Sequence, residues 1–284
     1  MFQNVKIAFF GNSDFSRIIL EHLAKSGIMP ELVVTTPDKP VGRKMTLTPT
    51  PTKVWAEDHS VEYIESAKLK DEDFLQKIKG YDLFIVASYG KIIPKVLIDM
   101  PKYKVLNVHP SLLPKYRGPS PLQEQILHDE KDVGVSIMLI DEEIDHGAIV
   151  AQKKADIAGW PVGFNALSEI LGKTGAKLLA DILPDWIQGK IQAKEQDHAK
   201  ATFTKKVEKS DGLLDLSGDA YRNYLKILAY EDWPGTYFEV EKNGKKMRVI
   251  VKKASYANGA LTILRVLPEG KKEMDYQDFL RGLR

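Results

Sequence analysis

Apolar residues recur along this chain in two rhythms. Val5–Phe10 is an apolar run but for Lys6, Leu83–Ala87 and Lys104–Val108 are mostly apolar too, and Glu31–Thr36 is a further short strand. Runs of this kind, closed by Gly, Asn or Pro, predict strands buried in a parallel sheet. Between them the spacing predicts helices, one opening near Asp14 and ending by Gly27, another over Val54–Asp58. The most regular helical pattern covers about Asn165–Gln188, where Leu167, Ile170, Leu171, Leu178, Leu179, Ile182, Leu183 and Trp186 share a face. Strand and helix therefore alternate through the first two-thirds, which predicts an α/β fold with a doubly wound, mostly parallel sheet and its site at the strand C-termini.

The pattern changes after Gly189. Residues 190–204 are polar and Lys-rich and read as a linker, which leaves 1–189 as one domain and 205–284 as a smaller β-rich one. In the latter, Tyr221–Ala229 is helical, and Thr236–Glu241 and Met247–Lys252 bracket an Asn243-Gly244 hairpin signal, with Ala260–Val266 as one more strand. The irregular stretch from Thr36 to Pro51 is long for a connection inside a domain and reads as a lid or binding loop.

Composition narrows the chemistry. The 284 residues contain no cysteine, which excludes disulfides, zinc–thiolate sites and a thiol nucleophile. Gly11-Asn12-Ser13 breaks the first apolar run too early for a signal peptide, and no run reaches membrane-spanning length, so a cytoplasmic protein is expected. The net charge is +2, unevenly spread: residues 200–284 hold 17 Lys+Arg against 12 Asp+Glu. That basic excess suits either a polyanionic partner or a solvated lysine surface.

Asn107 and His109 lie two apart at the end of a strand, so an amide and an imidazole project from one face. A Pro- and Gly-punctuated loop with Arg117 near its tip follows, and Gly134–Ile140, strand-like, feeds the acidic stretch Asp141-Glu142-Glu143-Ile144-Asp145-His146-Gly147. Amide, imidazole and carboxylate together can polarise a carbonyl and move a proton. The six histidines show no ligand spacing and no metal is expected; Gly11 lacks a Gly-x-Gly-x-x-Gly context, so neither is a nicotinamide cofactor.

With these residues in view, the chain resembles the 10-formyltetrahydrofolate-dependent formyltransferases, in their methionyl-tRNA branch. Phe10-Gly11-Asn12-Ser13-Asp14-Phe15 is similar to the family's first-strand signature, with Asn and Ser in place of Thr and Pro. Ala87–Pro94 resembles the folate-side segment, Asn107-x-His109-Pro110-Ser111-Leu112-Leu113-Pro114 the shared formyl-transfer signature, and Pro37–Arg43 with Pro49–Lys53 the loop that grips the tRNA acceptor end. The resemblance implies a Rossmann-like formyltransferase domain and a smaller, shortened barrel-like C-terminal domain, since Lys252–Ser255 runs almost directly into Asn258-Gly259 where relatives carry more strands.

It also implies roles. Asn107, His109 and Asp145 are the expected catalytic residues, with Asp145 either orienting His109 or taking the amine proton. Ser88, Tyr89, Gly90, Ile92, Ser111, Leu112, Leu113, Pro114, Asp141 and Ile144 are expected at the folate. Phe15 is expected at the methionine, and Gly42, Arg43, Lys44 and Arg117 at the tRNA, Arg117 with a structural ion-pair role equally open. The implied partners are initiator methionyl-tRNA and 10-formyltetrahydrofolate, with no metal and no membrane, and the implied state is a monomer. An amino-sugar nucleotide is the alternative formyl acceptor.

Overall fold

The computed structural model describes residues 5–41, 45–242 and 244–283, so the Gly42, Arg43 and Lys44 expected at the tRNA lie outside the described residues. In chain order the elements begin β1 (Ile7–Gly11), α1 (Asp14–Lys25), β2 (Leu32–Thr35), β3 (Lys39–Val41), β4 (Thr46–Thr48), α2 (Pro51–Asp58) and β5 (Glu62–Glu65). They continue with α3 (Glu72–Ile78), β6 (Leu83–Ala87), α4 (Lys95–Ile98), β7 (Val105–His109), α5 (Pro121–Leu127), β8 (Gly134–Leu139), β9 (Ile149–Lys154) and α6 (Phe164–Ile187). The last are α7 (Ala220–Ala229), β10 (Thr236–Lys242), β11 (Lys245–Ala257), β12 (Ala260–Pro268), β13 (Met274–Asp275) and α8 (Tyr276–Arg281).

Two compact units emerge, less simply divided than the sequence suggested. The first holds residues up to Pro119, Asp132–Asp156 and Ser168–Phe203; the second holds Ser120–Lys131, Ile157–Leu167 and everything from Thr204. The polar stretch 190–203 thus belongs to the first unit, where Lys194 exchanges main-chain hydrogen bonds with Ile149 at 2.7 and 2.8 Å.

The first unit is a seven-stranded sheet in the order β5-β2-β1-β6-β7-β8-β9. Pairing is parallel from β5 to β7 and antiparallel from β7 through β9. The long run from Thr36 contains a separate antiparallel pair, β3 with β4, the latter wholly exposed. One face of the main sheet buries Ala8, Phe10, Leu32, Val34, Phe84 and Val86 beneath Leu69, Phe74, Ile78, Tyr89 and Leu97. On the other face α6 comes close through its glycines: a Cβ at Gly175 would lie 2.7 Å from Val108, and one at Gly172 2.7 Å from Ile18. Val108 faces α6, so its neighbours Asn107 and His109 face the opposite side of the sheet.

Polar ties hold the strand ends. Ser13 caps α1 in a reciprocal box with Ser16, at 3.3 Å in both directions. Ser16 also donates to the Ala87 carbonyl at 2.6 Å, and a Cβ at Gly11 would strike it at 2.6 Å, so glycine is what lets α1 start so near β1. The Asn12 that departs from the family signature uses its Oδ1 to accept from Thr36 N–H at 2.8 Å and Thr35 Oγ1 at 2.9 Å. Its Nδ2 donates to the Tyr89 carbonyl, joining three strand ends.

The second unit contains the antiparallel sheet β10-β11-β12-β13, packed around Leu214, Phe238, Val249, Val251, Ile263, Val266 and Phe279. Where the sequence ran short, Asn258 and Gly259, at φ 52° and 78°, form a two-residue turn that joins β11 directly to β12.

Candidate active site

β7 delivers Asn107 and His109 side by side, both buried. Asp145 meets them by a route the sequence did not show. β8 runs antiparallel to β7, so the acidic loop begins beside Val105, where Ile140 N–H donates to the Val105 carbonyl at 3.1 Å, and folds back over the sheet face. Asn107 Nδ2 then lies 3.4 Å, and His109 Nδ1 3.5 Å, from the same oxygen, Asp145 Oδ1. The other oxygen accepts from Gly118 N–H at 2.7 Å.

The ring of His109 sits between two acceptors, because its Nε2 faces the Tyr116 carbonyl at 3.0 Å. Asp145 holds its place with a main chain in the left-handed region, φ 49°, and Tyr116 opposite has φ 61°. Strained main chain of this kind persists where its surroundings over-determine it. The loop closes on Gly147, whose missing Cβ would lie 2.1 Å from the Leu139 carbonyl oxygen.

Around these three side chains the expected contacts divide. Ser88 and Gly90 are exposed and at positive φ, 45° and 73°, and Ile92 and Ile144 leave 76% and 61% of their surface open. Lys95 Nζ pairs with Glu142 at 3.3 Å, which brings the segment after β6 to the acidic loop. Exposed apolar side chains on neighbouring segments suit a flat ligand such as a pterin. Asp141 accepts from Glu143 N–H at 3.0 Å and faces His146 Nδ1 at 2.7 Å.

Other expected contacts are turned inward. Tyr89 packs edge-on to Phe10, buried, and burial pushes its phenol up to about 12. Ser111 donates to the Lys115 carbonyl at 2.7 Å, and its carbonyl accepts from Ser136, whose Oγ also takes Leu113 N–H at 3.0 Å. Ser111 and Leu113 are therefore internal braces of the loop; Leu112 and Pro114 are half-buried beside them. Phe15 is buried beneath α6 near Gly172, as packing.

Arg117 is also corrected. It is 3% exposed, and its guanidinium donates to Gln196 Oε1 at 2.6 and 3.1 Å and faces His198 Nδ1 at 2.8 Å. A guanidinium so enclosed is not presented to a phosphate, and among the described residues it meets an amide, an imidazole and, at 5.9 Å, the Phe203 ring, not the carboxylate that an ion-pair role requires. His146 stacks on His198 at 4.1 Å between centroids and so extends this network. Gln196 escaped the sequence reading altogether; it sits in a hydrophilic stretch that gives no local sign of burial. Among the described residues no group of three or more His, Asp or Glu side chains is placed to hold a metal, and no helix is long and apolar enough to cross a membrane.

Comparison with known proteins identifies the family. Residues 5–161 match the formyl transferase family. A methionyl-tRNA formyltransferase of Halalkalibacterium halodurans is 37% identical over an alignment covering 98% of this chain and 95% of that one. That of Campylobacter curvus is 35% identical, with 99% and 97% covered. The alignment with the former spans 303 positions against 284 residues here, so this chain carries deletions relative to it. Among solved structures, the methionyl-tRNA formyltransferase from Clostridium thermocellum superposes with a TM-score of 0.61 at 16% identity, covering 96% of this chain and all of that one, a likeness of fold.

Proposed function

The chain belongs to the methionyl-tRNA formyltransferases, and from that membership we propose that Asn107, His109 and Asp145 carry the transfer of a formyl group from 10-formyltetrahydrofolate to the α-amine of methionyl initiator tRNA. The observation that carries the assignment is the convergence of Asn107 Nδ2 and His109 Nδ1 on one carboxylate oxygen, Asp145 Oδ1, at 3.4 and 3.5 Å.

10-Formyltetrahydrofolate supplies the carbonyl carbon that the amine attacks. As the amine nitrogen adds, negative charge grows on the formyl oxygen, which meets Asn107 and His109 beside Asp145 Oδ1, the oxygen that already holds their point of convergence. A preorganised donor of this kind is worth about 3 kcal/mol of barrier. The amine must also lose a proton. Asp145 Oδ1 is the acceptor at hand, since Gly118 N–H already engages Oδ2. The folate N10 takes up a proton as its bond to carbon breaks, so the count balances. His109, whose ring is held in place between the Tyr116 carbonyl and Asp145, serves as a donor beside Asn107.

Ser88, Gly90, Ile92 and Ile144 are the groups we assign to the folate. The tRNA we assign to the sequence segment with Gly42, Arg43 and Lys44 and to the basic C-terminal unit. The same reading takes the chain as a monomer acting in the cytoplasm, which sedimentation and fractionation check. The deciding experiment supplies the purified protein with 10-formyltetrahydrofolate and methionyl initiator tRNA, beside His109→Ala. Formyl-methionyl product that is lost with His109→Ala supports substrate and site together. Formylation of an amino-sugar nucleotide with no product on tRNA overturns the tRNA assignment.

A further inference from the structure

Gln196 lies outside every segment that carries the formyl-transfer signature, 51 residues from Asp145 and 79 from Arg117, yet it joins the two. Its side chain is buried, at 5% exposure. Nε2 donates to the Asp145 carbonyl at 2.9 Å and to the Gly147 carbonyl at 2.8 Å. Oε1 accepts from Arg117 Nε at 3.1 Å and Nη2 at 2.6 Å. A primary amide has two N–H donors and two lone pairs, and all four are used here. Neither a carboxylate nor an apolar side chain of the same length can make this set.

The two loops that Gln196 joins are those that fix Asp145. One contains Asp145 itself, in a left-handed conformation that a non-glycine residue adopts at a cost. The other contains Arg117, and the next residue, Gly118, supplies the N–H that holds Asp145 Oδ2 at 2.7 Å. Main chain and side chain of Asp145 are thus anchored from opposite directions through one amide. We infer that Gln196 is a positioning residue for the formyl transfer: it pins the left-handed turn at Asp145 so that the carboxylate stays at the convergence point of Asn107 and His109. The inference rests on the function proposed above, and it assigns Gln196 no contact with either substrate.

Misplacing a reacting group by about 1 Å costs on the order of 100-fold in rate. Gln196→Met, of similar length with no amide, should therefore lower kcat by roughly 10- to 100-fold while KM for folate and for tRNA stays within about threefold. Single-turnover formylation of methionyl-tRNA, compared in wild type, Gln196→Met, Asp145→Asn and the double variant, tests the route. If Gln196 acts through Asp145, its loss costs less than about threefold once Asp145 is already Asn, because coupled residues are non-additive. An equal loss in both backgrounds, or a raised KM with unchanged kcat, overturns the inference. Gln196→Glu, which also loses both donors, replaces Gln196→Met should that variant fail to fold, with the same outcomes read. A wild-type protein that formylates no methionyl-tRNA overturns the functional reading, and the positioning role falls with it; an active wild type with an unimpaired Gln196 variant removes the positioning role alone.

Discussion

Gly147→Ala adds one methyl group at the end of the loop that carries Asp145. The main chain there lies outside the left-handed region, so alanine itself introduces no torsional strain. The obstacle is steric: the new Cβ would lie 2.1 Å from the Leu139 carbonyl oxygen, and carbon–oxygen contacts close at about 3.3 Å. Something must therefore move by about 1 Å. Leu139 resists, being paired with Leu106 of β7 and donating its N–H to the Ala148 carbonyl at 2.9 Å. The loop must yield instead, and with it the Gly147 carbonyl that Gln196 holds at 2.8 Å and Asp145 two residues before. Overpacking of this kind costs roughly 1–3 kcal/mol, which at about 2–4 °C per kcal/mol lowers Tm by about 2–12 °C. A shift of about 1 Å at Asp145 lowers kcat on the order of 100-fold. Thermal melting and formylation of methionyl-tRNA read the two effects. A variant with wild-type Tm and kcat would refute the claim that the closeness of Gly147 to Leu139 sets the position of the carboxylate.

Four further outcomes are expected. Asp145→Asn keeps one acceptor where the carboxylate had two, so its amide must point N–H groups either at Gly118 N–H or at the Asn107–His109 pair; turnover should fall about 10²- to 10⁴-fold, and a loss under tenfold in single turnovers removes Asp145 from proton transfer. Asn12→Ala strands the Thr36 N–H and takes one acceptor from the Thr35 hydroxyl, which keeps Thr50 at 2.6 Å, and urea titration should show a loss of about 1–3 kcal/mol; an unchanged midpoint contradicts the joining role. Among the described residues the Tyr89 hydroxyl is buried without a partner and its pKa is pushed up to about 12, so Tyr89→Phe should match or exceed wild-type stability at neutral pH. Above pH 10 the unfolded phenol ionises before the folded one, stability is lost as pH rises towards 12, and the Phe variant should unfold less steeply in alkali; identical alkaline slopes exclude Tyr89 as the cause. Finally, KM for methionyl-tRNA should rise steeply between about 50 and 200 mM salt as phosphate contacts give way to counterions, and a flat response points to a small amine.

The alternation of strand and helix made the parallel half of the sheet readable, and Asn107-x-His109 on β7 placed amide and imidazole on one face by period alone. What periodicity does not encode is direction between strands. Gly134–Leu139 is as apolar as a parallel strand, and nothing in it states that β8 runs antiparallel to β7. Elements of four to seven residues, such as α3, α4, α5 and α8, span too few turns to show a face. Proximity to a signature also says little about orientation. Ser111 and Leu113 stand in the formyl-transfer segment, yet hydrogen bonds to Lys115 and Ser136 turn them inward. Gln196 shows the converse: its neighbours are polar, and only contacts distant in sequence bury it.

The alternation along β7 bears on how faithfully this chain folds. Asn107 and His109 face one side and Val108 the other, where the absent side chain of Gly175 leaves room for an isopropyl group and little more. A one-residue slip of β7 in its ladder would exchange the two sets, driving an imidazole and an amide against the floor of α6 and setting a valine among the reacting groups. Neither polar group would find a partner there, so the slipped register is penalised twice, by desolvation and by volume. The valine between the two polar residues thus serves as a register check, and chains that fold at all emerge with their donors on the correct side of the sheet.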